Sequence, residues 1–133
     1  MESKLATQKE RRNAKRFDVS LLGNSVTSTG RISEIEVTNI SSSGLQFDID
    51  QVEMLTLVPN DHQTNRLSPV GIEVNIELPL TLIKGNQVAP IRISCGIVYV
   101  RRKTLELCSV GCRFENFIDN ASDRLTDYIS SIS

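Results

Sequence analysis

Glu34-Ile35-Glu36-Val37-Thr38-Asn39-Ile40-Ser41-Ser42-Ser43-Gly44-Leu45-Gln46-Phe47-Asp48-Ile49 reads as two alternating runs about a polar turn. Alternation of apolar and polar residues is the pattern of a strand with one face in a core and the other in water. Ile35 and Val37 supply the apolar face of the first run, and Glu34, Glu36 and Thr38 its solvated face. Leu45, Phe47 and Ile49 begin the second. Between them Asn39, Ser41 and Gly44 form N-x-S-x-x-G, side chains that bond their own backbone and a residue without a Cβ, as a tight connection requires.

The same period extends outward on both sides. Ser28-Thr29-Gly30 reads as a hairpin turn, preceded by a strand over Phe17-Asp18-Val19-Ser20-Leu21 that Leu22, Gly23 and Asn24 interrupt at a bulge. On the other side Val52–Val58 reads as a short strand or one helical turn, and Pro59–Pro69 is polar and irregular. The resulting excursion over residues 50–68 is long for a compact domain, either lightly structured or a mobile loop. Ile72, Val74, Ile76, Leu78, Leu80 and Leu82 then make the longest period-two run, with Pro79 marking an edge or a bulge. Lys84-Gly85-Asn86 is a turn. Ile91, Ile93, Cys95 and Ile97 alternate and continue on a shifted phase through Val98 and Val100. After the charged turn Arg101-Arg102-Lys103, the residues Leu105, Leu107, Val110, Cys112 and Phe114 make a last strand, broken near Gly111.

Beyond it the period changes. Ile118, Ala121, Leu125, Tyr128, Ile129 and Ile132 recur at three and four, an amphipathic helix over about 118–132 capped by Asp119 or Asn120. The expected fold is mainly β: a six-stranded antiparallel barrel over residues 17–133, closed so that no edge is left bare, with a C-terminal α-helix that plugs or covers one opening.

The chain has 133 residues, 39% hydrophobic and 23% charged, enough for one domain with its own core. No apolar run approaches the roughly 20 residues of a membrane span, and the polar N-terminus carries no apolar stretch of a secretory signal. The expectation is a cytoplasmic protein whose three cysteines, Cys95, Cys108 and Cys112, stay reduced. Cys108 and Cys112 reach one metal only if Ser109-Val110-Gly111 is a tight turn, because four residues of strand separate them by roughly 13 Å; small core-facing side chains are the favoured reading. His62 stands in a polar loop without a partner. Charge is unevenly placed. Residues 1–16 hold six cations against two acids, net +4, which leaves −5 on the rest of a chain of net charge −1. A flexible basic arm on a mildly acidic body favours an anion held locally and disfavours a protein that coats nucleic acid.

Within that arm, Arg12 and Arg16 stand four apart as R-x-x-x-R, with Arg11 in front. Taken in order with N-x-S-x-x-G, this resembles the PilZ domain family. The likeness extends from Glu10-Arg11-Arg12 through Arg16-Phe17 to Gly96-Ile97-Val98-Tyr99-Val100, similar to a strand that often carries an aromatic. It ends at Val110-Gly111-Cys112-Arg113-Phe114, similar to the family's G-x-x-F before the terminal helix. The 50–68 excursion departs from the family pattern. The resemblance implies a six-stranded barrel with a helix and, as ligand, the bacterial second messenger cyclic di-GMP.

The residue types suit that ligand. Guanine shows paired acceptors, O6 and N7, which an arginine fork meets bidentately, and phosphate oxygens take the same fork. The resemblance therefore assigns ligand contacts to Arg11, Arg12, Arg16, Asn39, Ser41 and Gly44. Asn39 offers both an acceptor and a donor, Ser41 a hydroxyl, and Gly44 a left-handed or close-approach backbone that a Cβ would obstruct. Tyr99 packs near a base or simply stands in the barrel wall. In the PilZ family an arginine at the place of Arg11 accompanies two stacked nucleotides per chain, so the resemblance implies that ratio here. No catalytic constellation, metal cluster or phosphate loop is present in the sequence, so the reading is a receptor, not an enzyme, needing no cofactor. Such a receptor changes its surface for an effector protein. The alternatives are an adaptor that binds protein but no nucleotide, and a small barrel whose arm contacts nucleic acid.

Overall fold

The computed structural model describes residues 15–57, 70–79 and 90–133. Its strands are β1 (Phe17–Val26), β2 (Ile32–Ile40), β3 (Gly44–Asp50), β4 (Glu73–Leu78), β5 (Ile91–Arg102) and β6 (Leu107–Phe117). Helix α1 (Gln51–Leu57) follows β3, and α2 (Ala121–Ile132) follows β6. The strands pair antiparallel in the order β1-β2-β3-β6-β5-β4, and β4 closes on β1 through Asn24↔Glu77, Ser25↔Ile76 and Val26↔Asn75. Closure places one residue of each alternating pair inside. Ile35, Val37, Ile40, Leu45, Phe47, Ile76, Leu78, Ile93 and Val110 are all buried there. Each aliphatic side chain so buried contributes about 1.5–3 kcal/mol by leaving water.

Several expectations about where the strands break are corrected. The interruption in β1 lies between Asp18 and Leu21, and Leu22, Gly23 and Asn24 are regularly paired with Glu36, Ile35 and Glu34. Gly23 is the seam of the barrel: a Cβ there would stand 2.5 Å from the Glu77 carbonyl oxygen and 2.9 Å from a Leu78 methyl. β6 is unbroken at Gly111; its irregularity against β5 lies at Glu115, the extra residue opposite Ser94 and Cys95, and a second irregularity falls on β5 between Ile97 and Tyr99. Val98 is the extra residue of the second one and is half exposed. Leu105 is not in the last strand. It is 83% exposed in the turn before it, where the Thr104 hydroxyl accepts from the amides of Glu106 and Leu107.

Val52–Leu57 proves helical, part of α1, whose first turn is capped by the Asp50 carboxylate on the Val52 amide at 2.8 Å. Its last residue, Leu57, joins the core. The C-terminal helix starts three residues later than its apolar spacing implies. Ile118 lies before it and Asp119 has φ 55°, a reversal that ends the sheet run. Asn120 is the N-cap but makes no side-chain cap bond, so Asp123 in the first turn carries the favourable charge. Ala121 and Leu125 enter the core, and α2 packs on β5. Leu80, Leu82, Lys84-Gly85-Asn86, His62 and the excursion from 58 to 69 lie outside the described residues.

The cysteines are free and buried. Since Ser109-Val110-Gly111 is strand, Cys108 and Cys112 lie on one extended segment, without the tight turn that a shared metal needs. Burial pushes the Cys112 thiol up to about 12 and the Cys95 thiol higher still, the latter also through the neighbouring Cys112 and Glu115. Both groups ionise later in the folded chain than in the unfolded one. Their contribution is therefore complete below about pH 9 and is lost as pH rises beyond it. We expect chemical-denaturation midpoints to fall above about pH 9, and Ellman's reagent at pH 8 to find Cys95 and Cys112 silent until denaturant is added. Fast reaction of both in the native protein would contradict this burial.

Candidate functional site

The N-x-S-x-x-G turn is built by its own serine. Ser41 is fully buried, and its hydroxyl lies 3.2 Å from the amides of Ser43 and Gly44, which donate to it. The Ser41 amide donates to the Gly44 carbonyl at 2.9 Å. The Phe114 amide donates to the Ser43 carbonyl, also at 2.9 Å, pinning the turn to β6. Ser41 is thus engaged in shaping the turn.

Gly44 does not use a left-handed conformation; among the described glycines, Gly30 and Gly71 have positive φ. Its need is close approach, because a Cβ at 44 would run into the carbonyl oxygen of Cys112 on β6.

Asn39 owes its position to a bulge. Val37 faces Phe47 and Asn39 faces Gln46, which leaves Thr38 as the extra residue of β2. The inserted residue changes the phase, so that Ile40 turns into the core and Asn39 turns out. On the outer face Arg16 Nη1 donates to Asn39 Oδ1 at 2.9 Å. This brings the last arginine of R-x-x-x-R onto the first residue of N-x-S-x-x-G. Arg11 and Arg12 lie outside the described residues.

The outer face continues beyond the two motifs through Gln46 and Ser109, which sequence reading passed over, and through Tyr99, which it left between a base contact and the barrel wall. Asn39 Nδ2 donates to Gln46 Oε1 at 3.2 Å, the Tyr99 hydroxyl donates to the same oxygen at 2.7 Å, and Gln46 Nε2 donates to Ser109 Oγ at 2.7 Å. Tyr99 lies across Gly111, where any Cβ would strike its ring. The Arg101 guanidinium sits 5.0 Å from the ring centre, a cation–π contact. Lys103 closes the far end on Asp48 at 2.7 Å, a bond that raises the Lys103 pKa. Gln46 carried a signal only as a polar residue in an alternating run. Nothing in the chain order ties it to Tyr99, 53 positions away.

What can this face do? It offers exposed cations at Lys15, Arg16, Arg101 and Arg113, amide donors and acceptors at Asn39 and Gln46, and one aromatic ring. Such a set suits a planar, phosphorylated ligand. By contrast, a pocket of about 310 Å³ beside Leu22 and Pro79 is lined by Glu34 and Glu77, which disfavour an anion.

Comparison with protein families matches residues 10–131 to the PilZ domain. The chain belongs to the PilZ domain family. Its barrel is similar to the solved "PilZ domain with c-di-GMP of YcgR from Escherichia coli", at 12% identity and a TM-score of 0.61, covering 92% of this chain and 91% of that one. It is also similar to the Bacillus subtilis inhibitor of motility, MotI/DgrA, at 12% identity and a TM-score of 0.58. That match covers 88% of this chain but 47% of the other, so this PilZ chain spans about half the length of that relative. At such identity both likenesses are likenesses of fold. No curated protein sequence matches the chain. Among the described residues, no helix of this PilZ chain is long and apolar enough to cross a membrane.

Proposed function

We propose that this PilZ chain is a cytoplasmic receptor for cyclic di-GMP. The observation that carries the reading is the Arg16–Asn39 hydrogen bond, which joins two motifs 23 residues apart at the edge of a cationic, amide-rich outer face. The similarity to a YcgR domain solved with that nucleotide supports it. Residues 1–16 act as the arm and 17–133 as the body. Arg12 and Arg16 grip guanine edges and phosphates through their forks, with Arg11 as a third cation, while Asn39 meets the donor edge of guanine. Ser41 and Gly44 contribute by holding the turn that presents Asn39. Tyr99 offers its ring to a base. Binding draws the arm onto the barrel and so changes the surface shown to an effector protein.

The chemistry is recognition. The thiols that could serve as nucleophiles are buried, and those of Cys95 and Cys112 are held protonated. Titration calorimetry with cyclic di-GMP, GTP and a short oligonucleotide tests the proposal. Binding of the cyclic dinucleotide alone, two per chain at saturation, is the expected result. Binding of the oligonucleotide alone would favour a nucleic-acid arm, and heat from none of the three would favour a protein adaptor.

A further inference from the structure

Gln46 occupies the middle of a row that crosses four strands. By register, Asn39 on β2 stands opposite Gln46 on β3, Gln46 opposite Gly111 on β6, and Gly111 opposite Tyr99 on β5. Three steps at the usual strand spacing make about 14 Å, a span comparable to an extended dinucleotide. Tyr99 reaches back over the middle strand only because position 111 has no side chain. The Gln46 carbonyl oxygen has two lone pairs, and both are taken, one by Asn39 and one by Tyr99. Its amide nitrogen is turned the other way, to Ser109.

These bonds remove a freedom that matters for recognition. An asparagine amide that rotates half a turn exchanges its donor for its acceptor. Here Nδ2 is committed to Gln46, so Oδ1 faces Arg16 and the arm. An aspartate at 39 could not make this bond, having no N–H to donate. We propose that Gln46 is a positioning residue of the ligand face, setting the amide orientation of Asn39 and the ring position of Tyr99 against one another. The proposal rests on the cyclic di-GMP reading given above.

Gln46→Leu removes both acceptor and donor. Asn39 and Tyr99 are only partly buried, so water replaces the bonds they lose, while the buried Ser109 hydroxyl loses its Gln46 donor at a modest cost in stability that the fold survives. Calorimetric titration with cyclic di-GMP is done on the parent chain, Gln46→Leu, Asn39→Ala and the double variant, with melting curves beside it. The expected result is a roughly tenfold weaker affinity for Gln46→Leu at a melting temperature lowered by a few degrees at most. In the Asn39→Ala background the same change is expected to cost less than about threefold, since one of the two groups it positions is gone and only Tyr99 is left to respond. A merely structural role would cost the same in both backgrounds. Should the leucine variant not fold, Gln46→Met, unbranched and of similar length, takes its place. If the parent chain binds and Gln46→Leu binds within twofold of it, or if the cost is equal in both backgrounds, this inference alone falls. If the parent chain does not bind cyclic di-GMP, the inference and the proposed function fall together.

Discussion

Gly44→Val is expected to melt roughly 10 °C below the parent chain, a loss of about 3 kcal/mol. The cause is contact with a neighbouring strand, not a forbidden dihedral. β3 begins at Gly44, opposite Arg113, and its backbone passes so near β6 that an added Cβ would enter the Cys112 carbonyl oxygen and lie 3.3 Å from the carbonyl carbon. That carbonyl belongs to main chain held in the β3–β6 and β5–β6 ladders, so it cannot swing aside as a side-chain end would. Relief requires β3 to move off β6. The movement also pulls on the Ser41 hydroxyl, which bonds the Gly44 amide, and on the Ser43 carbonyl, which holds Phe114. Gly44→Ala carries the same first clash and should already show most of the effect. Gly30→Ala is the informative contrast. Its φ of 86° imposes a left-handed penalty of about 1–2 kcal/mol, but nothing lies within 4 Å of the new Cβ. Melting followed by circular dichroism separates the two mechanisms. A Gly44→Val chain that melts within 2 °C of the parent would show that β3 has room to spare.

The two motifs and the barrel were legible because they follow local rules. Period-two apolar positions identify β2, β3 and β4 whatever the rest of the chain does, and the change to a period near 3.6 marks α2. What was not legible depends on partners across the sheet. Leu105 and Ile118 fit the apolar spacing of their neighbours, yet a turn and a φ reversal put them in water. The bulge at Thr38 is hinted at by Ile40 standing out of phase with Ile35 and Val37, but only the register shows that it delivers Asn39 to the outside. Gln46, Ser109 and Tyr99 are joined over 63 and 53 positions, and sequence spacing carries no information about such contacts. The glycines show the same limit. Gly44 and Gly111 were readable as glycines in or near a motif, while their reason, a carbonyl in one case and a tyrosine ring in the other, lies on another strand.

Arg16→Ala is expected to weaken cyclic di-GMP binding tenfold to hundredfold or more while the melting temperature moves by no more than about 1 °C. The two halves of this expectation have different grounds. Arg16 is exposed, and its hydrogen bond within the described residues goes to Asn39 on a solvated face. Exposed bonds of this kind are replaced by water at little cost, so folding hardly registers the loss. In the complex the same guanidinium meets phosphate or a guanine edge, and each charge-assisted bond lost there is worth about 1.5–3 kcal/mol. Arg16→Lys should restore little of it. An ammonium keeps the charge but not the planar fork that matches two acceptors at once. Its residual benefit should fade as salt is raised from low concentration to about 0.5 M, because a point charge at the surface is screened. Arg12→Ala, from the same arm, is expected to behave alike. Calorimetry at two ionic strengths, with melting curves on the same samples, measures both halves. An Arg16→Ala chain that binds at the parent's affinity would detach the arm from the ligand and leave Asn39, held by Gln46, to act without it.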